Sequence, residues 1–345
     1  MNKKSKRKND LRSSIILLLI LLLLLISSTY AWFTANQVVT ISTLDVHIEA
    51  ANGLQISTDA TTWKSIISNT DITTGAYASN RNQLPSSMEP VSTVGEIDST
   101  SGDMLMYYGV VNADENDGGA YKLTATKETD TKGTTGKYIA FDIFMRVDKD
   151  TQLKLTDASS VVMKEGSSDK GIKQASRVAF CLQGTQPVGT ALDTITSQKE
   201  AISFGQSGST VYIWEPNANW HTAAAVAHAR DNYGITTTES TDGTSVAAVP
   251  YYGINSVIST GVKLIDTNKE GNASFTAITP SYVTESDKDG KITAEENIFT
   301  LTAGITKARV YMWIEGQDVD CENTASGTDI SFNLQFQVVE PVVAG

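Results

Sequence analysis

Toward its C-terminal end the chain alternates apolar and polar residues with a period of two, the pattern of β-strands. In Ala308-Arg-Val-Tyr-Met-Trp-Ile-Glu315, Val310, Met312 and Ile314 share one side. In Ile330-Ser-Phe-Asn-Leu-Gln-Phe-Gln-Val338, Phe332, Leu334, Phe336 and Val338 share another. Successive side chains of a strand point to opposite faces, so each run presents one face to a core.

The same period recurs upstream. From Tyr138 to Val147, Ile139, Phe141, Ile143, Met145 and Val147 fill one face, while Phe144 lies on the other between Asp142 and Arg146. Both faces of this central strand are expected to be partly covered. Arg177-Val-Ala-Phe-Cys-Leu182 turns Val178, Phe180 and Leu182 inward and Cys181 to the opposite face. Further strands are expected at 104–111, 121–125, 152–155, 211–214, 251–254, 262–265, 274–278 and 298–302, separated by Gly-, Asn-, Asp- and Ser-rich turns. The only helix expected after the leader is 220–233, where five alanines supply propensity, as a short cap over one end. Strand after strand with almost no helical period predicts an all-β, antiparallel β-sandwich with long loops. The last strand is expected to return to the sheet begun at Leu44, which favours one elaborated domain over 32–345 above two β subdomains.

The chain opens with Lys3, Lys4, Lys6, Arg7, Lys8 and Arg12, then an unbroken Ile/Leu run from Ile15 to Ile26, then small residues to Ala31. This is the pattern of a secretory signal peptide over 1–31, a substrate for signal peptidase. The run is well short of the roughly 20 residues that span a bilayer. The protein is therefore expected to be secreted or at the cell surface, touching membrane only through an uncleaved leader. In Gln37-Val-Val-Thr-Ile-Ser-Thr-Leu-Asp-Val-His-Ile-Glu49 the alternation changes phase: Val39 and Ile41 sit on odd positions, Leu44, Val46 and Ile48 on even ones. Such a segment needs a bulge or kink near Ser42-Thr43, or it serves two sheets.

Thr29-Tyr30-Ala31-Trp32-Phe33, followed by Ser42-Thr43-Leu44-Asp45-Val46, resembles the start of the TasA/camelysin family of secreted proteins of Gram-positive bacteria. The block Trp313-Ile-Glu-Gly-Gln-Asp-Val-Asp-Cys321 is similar to one in TasA-like secreted proteins. The chain departs from the family in having Trp32 between Ala31 and Phe33 and in its greater length. The resemblance implies a jelly-roll sandwich that self-associates into biofilm-matrix fibres, the N-terminal segment of one subunit completing a sheet of the next. Phe33, Val39 and Ile41 would be the assembly residues. Camelysins are also described as metalloproteases, so a protease is a third reading, behind a surface-displayed adhesion module in which Trp214, Trp220, Tyr251 and Tyr252 contact carbohydrate or protein.

The formal charge is −12, and the leader holds six of the 27 basic and one of the 39 acidic residues. The remaining 21 bases and 38 acids stand at −17, a surface that repels nucleic acid and anionic lipid. Cys181 and Cys321 invite one disulfide in an exported chain, with two buried thiols as the alternative. Closing a loop of that size would stabilise the fold by about 4–5 kcal/mol in the chain-entropy model.

No catalytic residue or cofactor is expected. His47, His221 and His228 form no His-Glu-x-x-His, although His221 and His228 lie two helical turns apart. Glu285-Ser-Asp287-Lys-Asp289-Gly290-Lys-Ile292-Thr-Ala-Glu295-Glu296 matches much of a twelve-residue calcium loop, with Glu285, Asp287, Asp289 and Glu296 as ligands. Its β flanks and its Asp-Lys-Asp-Gly core also suit an ordinary hairpin turn. Glu315, Asp318, Asp320 and Glu322 surround Cys321 in a stretch read as a disulfide-tethered loop, or else a cation site. Nucleophile elbows, phosphate loops and a Leu-Pro-x-Thr-Gly-like sorting pattern are not found, so covalent wall anchoring is not expected.

Overall fold

A computed structural model of the protein describes residues 39–40, 46–51, 53–75, 77–114, 116–117, 121–167, 170–199, 201–206, 208–216, 221–233, 251–267, 271–283, 296–321 and 329–339. The leader, Phe33, Ile41, Trp220, Glu285, Asp287 and Asp289 lie outside the described residues.

Two six-stranded sheets form the body. One runs in the order Glu296–Leu301, Thr151–Leu155, Ile330–Val339, Val46–Ala51 and Ile66–Ile67, with Ser160–Met163 also paired to Ile330–Val339. The other runs Tyr282–Val283, Val211–Glu215, Ser176–Gln186, Gly304–Ile314, Ile139–Val147 and Gln55–Ser57. Most neighbours are antiparallel. The exceptions are Tyr282–Val283 on Val211–Glu215, and Ile330–Val339 on Val46–Ala51, where Leu334 pairs with Ile48. The last strand thus does return to the first, in parallel.

The sheets pack face to face through the residues that the alternation places inward. Phe332, Leu334 and Phe336 of one meet Phe141, Phe180, Val310 and Met312 of the other in one buried cluster. The Phe180 and Phe336 rings meet edge to face at 5.4 Å across the interface. Ser176–Gln186 breaks register between Leu182 and Gly184, where Gly184 has a φ of +127° that a side chain would strain.

The second sheet is covered on its far side as well, by a third layer. That layer contains Met106–Ala113, Tyr121–Glu128 and Ile258–Lys263 as one small sheet, and Tyr251–Ile254 with Phe275–Ile278 as another. Every residue of Gly304–Ile314 is consequently buried, and all but Arg146 of Ile139–Val147. The Ala223–Tyr233 helix belongs to this layer, burying Ala225 and Ala229 against Leu123, Ile254, Phe275 and Val319, and not to one end of the sandwich. Two further short helices, Asn69–Thr74 and Leu192–Thr196, were not legible from periodicity. The first is nucleated by Asp71, whose carboxylate accepts hydrogen bonds from the Ser68 backbone N–H and hydroxyl, both at 3.0 Å.

Candidate functional site

The N-terminal stretch is split between two partners. Val46–Ala51 lies inside a six-stranded sheet, flanked by Ile330–Val339 and Ile66–Ile67. Val39–Thr40 pairs instead with Ser87–Met88, Val39 opposite Met88, in a two-stranded sheet apart from the large ones. The phase change read in the sequence therefore coincides with a change of sheet, because a strand that reverses its inward parity cannot keep one partner without a bulge. Glu296–Leu301 ends the sheet that holds Val46–Ala51, with Ile298 and Leu301 buried and Asn297 and Thr300 exposed.

The expected calcium loop is flanked by Tyr282–Val283 in one sheet and Glu296–Leu301 in the other, so its neighbouring strands do not form a hairpin. Glu296, the one expected ligand among the described residues, pairs through its backbone with Leu155. Cys181 and Cys321 are not bridged, and each is a buried thiol. This corrects the disulfide expectation: Cys181 joins the outer cluster with Tyr311 and Trp313, whereas Cys321 joins the core between the sheets. Burial pushes the Cys181 thiol up, which keeps it protonated and inert at neutral pH. Trp214 and Tyr251 are buried within strands, so they offer no surface to a carbohydrate.

What parity reasoning missed is the use made of the outer face of the central sheet. Two networks of buried charge lie there. In the first, Arg309 and Asp142 are cross-strand partners, joined Nη1 to Oδ1 at 2.7 Å. Arg309 also reaches Asp130 at 2.7 Å, and Lys307 reaches Asp142 at 3.2 Å. Tyr77 donates to Asp142, Tyr138 and Tyr311 donate to Asp130, and Arg81 pairs with Asp103 at 2.6 Å. Burial opposes ionisation of Asp142, but Arg309, Lys307 and the Tyr77 hydroxyl outweigh it and hold the carboxyl at about 2.

The second network gathers around Arg177, which is fully buried between Glu215 and Asp318, the latter at 2.5 Å, and lies 5.0 Å from the Tyr251 ring. Glu215 closes the neighbouring strand, while Glu315, Asp318 and Asp320 follow the Gly304–Ile314 strand in a tight turn. Glu315 accepts from the Trp313 indole and from the Gln317 backbone N–H, both at 3.0 Å. Asp320 meets His221 Nδ1 at 2.6 Å. Burial pushes Glu215 up to about 7 against the pull of Arg177, and Glu315 to about 7 against its hydrogen bonds. Burial likewise raises Asp320, while on His221 the Asp320 hydrogen bond and neighbouring acids outweigh burial and hold the ring proton more tightly. Burial is thus the common cause that raises all three carboxyls.

Among the described residues no three His, Cys, Asp or Glu side chains are arranged to hold a metal ion. Of the acids around Cys321, Glu315, Asp318 and Asp320 are taken up by Arg177, His221, Trp313 and backbone N–H groups, and Glu322 lies outside the described residues. His221 has Asp320 as its partner and precedes the helix in which His228 lies; His47 sits in Val46–Ala51 opposite Asn333. The available sequence signal was a charge embedded in apolar strand, as in Ala308-Arg309-Val310 and Ser176-Arg177-Val178. A guanidinium there must either reach solvent or find acids.

No family model matches this chain, and no curated protein or solved structure matches it either.

Proposed function

We propose that this protein is a secreted, non-enzymatic structural subunit of an extracellular fibre or cell-surface matrix, assembling by β-strand addition through its N-terminal segment. The observation that carries this reading is that Val39–Thr40 and Val46–Ala51 belong to different sheets. Val46–Ala51 is held from both sides in a large sheet, while among the described residues Val39–Thr40 pairs with Ser87–Met88 in a separate two-stranded sheet. Two-stranded pairings are marginal in water. Main-chain hydrogen bonds along a neighbour's sheet edge would supply the affinity for the segment around Val39. Among the described residues Glu296–Leu301 is a six-residue edge of its sheet, with a register shift between Asn297 and Phe299.

The experiment is N-terminal sequencing of the exported protein with electron microscopy of the same sample, alongside Ile41→Asp. A start at Trp32 or Phe33, filaments in the wild type, and a folded I41D monomer that forms none are the expected results. Filaments of normal length from I41D, or an intact leader on membrane-bound monomers, overturn the reading.

A further inference from the structure

The second charge network is out of balance. Among the described residues, four acids, Glu215, Glu315, Asp318 and Asp320, gather around two cationic groups, Arg177 paired with Glu215 and Asp318, and His221 paired with Asp320. Fully ionised, with His221 protonated, these six would carry a net charge of −2 in a site where the Arg177 side chain is 0 % and that of Asp320 0 % exposed. Tyr251, facing the group from its own strand, stays neutral because burial and the nearby acids raise it. Low-dielectric surroundings penalise uncompensated charge, so such a cluster retains protons.

The same groups hold a helix in place. Thr222 caps the Ala223–Tyr233 helix, its hydroxyl accepting from the Ala225 N–H at 3.1 Å. Asp320 Oδ1 in turn accepts from the Thr222 N–H at 2.9 Å, and Oδ2 pairs with His221. Asp318 Oδ1 accepts from the Asp320 N–H at 2.8 Å, and its other oxygen binds Arg177. Val319, between the two acids, packs in the same apolar cluster as Ala225 and Ala229. A change of charge in this turn is therefore transmitted directly to the start of the helix.

We propose that this cluster is a proton-operated latch: holding protons, it clamps the start of the Ala223–Tyr233 helix against the 315–321 turn, and losing them, it lets helix and turn separate. Mild acid closes the latch. With a carboxyl raised in the closed state, the closed state gains on the open one below the open-state value near 4.5, and that gain is lost as pH rises through about 7. His221 works in the same direction, because its proton is held more tightly in the closed state.

Hydrogen exchange of the purified protein at pH 5.5 and 8.5, corrected for the intrinsic exchange rate, tests the latch. Opening at amides 222–230 is expected to rise about thirtyfold for each of Glu215 and Glu315, while amides of Ile139–Val147 keep their protection. Glu215→Gln and Glu315→Gln should each remove one such step. Protection at 222–230 that changes by less than threefold in the wild type overturns the proposal, and this result needs no variant to fold. So does a full pH dependence that survives in both variants.

Discussion

Both charge networks lie on one face of one sheet, and they differ in arithmetic. Around Arg309 three cations, Arg81, Lys307 and Arg309, meet three acids, Asp103, Asp130 and Asp142. Around Arg177 four acids meet a guanidinium and an imidazole. In the balanced network the attraction of fixed cations overcomes the desolvation of Asp142, so its carboxyl ionises far below neutrality. In the unbalanced one, desolvation wins for Glu215, Glu315 and Asp320, and the site keeps protons up to near pH 7. Burial is common to both, so the ratio of signs decides whether a buried network is a fixed tie or a titrating one.

The largest effect should come from breaking the balanced network. Arg309→Met leaves Asp142 and Asp130 buried without their principal cation and is expected to cost about 3–5 kcal/mol, equally at pH 5.5 and pH 8. Urea unfolding followed by tryptophan fluorescence measures it; a loss that varies with pH in this range would dissolve the contrast. Arg177→Met should cost about 2–4 kcal/mol at pH 8 and clearly less at pH 5.5, where Glu215 accepts a proton in place of its partner. The same two-pH titration decides, and equal losses would mean that Glu215 stays ionised.

Removing a surplus acid sharpens the comparison further. Wild-type protein should be more stable at pH 5.5 than at pH 8, since groups raised in the folded state contribute most below their unfolded values. Glu215→Gln should narrow that gap by about 2 kcal/mol, the equivalent of a thirtyfold shift. Asp142 acts in the opposite sense: its contribution is present above the unfolded value of 3.8 and lost as pH falls through about 2, so only strong acid should loosen the Arg309 network. The smallest effect is expected of Tyr77→Phe, which removes one of several donors to Asp142 and should cost about 1 kcal/mol. A loss above 3 kcal/mol would show the tyrosine, and not Arg309, to be the principal support of that carboxylate.

The inward faces were legible because a period of two depends only on strand geometry. Phe332, Leu334 and Phe336, and likewise Val178 with Phe180, lie where alternation puts them. Alternation says nothing of what covers the other face. Cys181 was assigned correctly to the side away from Phe180, yet its distance from Cys321 depends on where a separate turn closes, and the two ended in different clusters. Trp214 and Tyr251, expected on exposed loops of an adhesion surface, are instead buried by the opposing sheet and the third layer. The Ala223–Tyr233 helix was visible through its alanines, but the acid that grips its N-terminus is Asp320, almost a hundred residues away.

By itself the sequence determined the β architecture, the two-sided burial expected of the 138–147 strand, and the parity change near Ser42-Thr43. All of these follow from local periodicity and from how much apolar surface must be hidden. Only the tertiary structure decided which buried acids face which cations. That pairing is made between strands far apart in the chain, and the charge it leaves uncompensated, not the identity of any one residue, sets where protons bind.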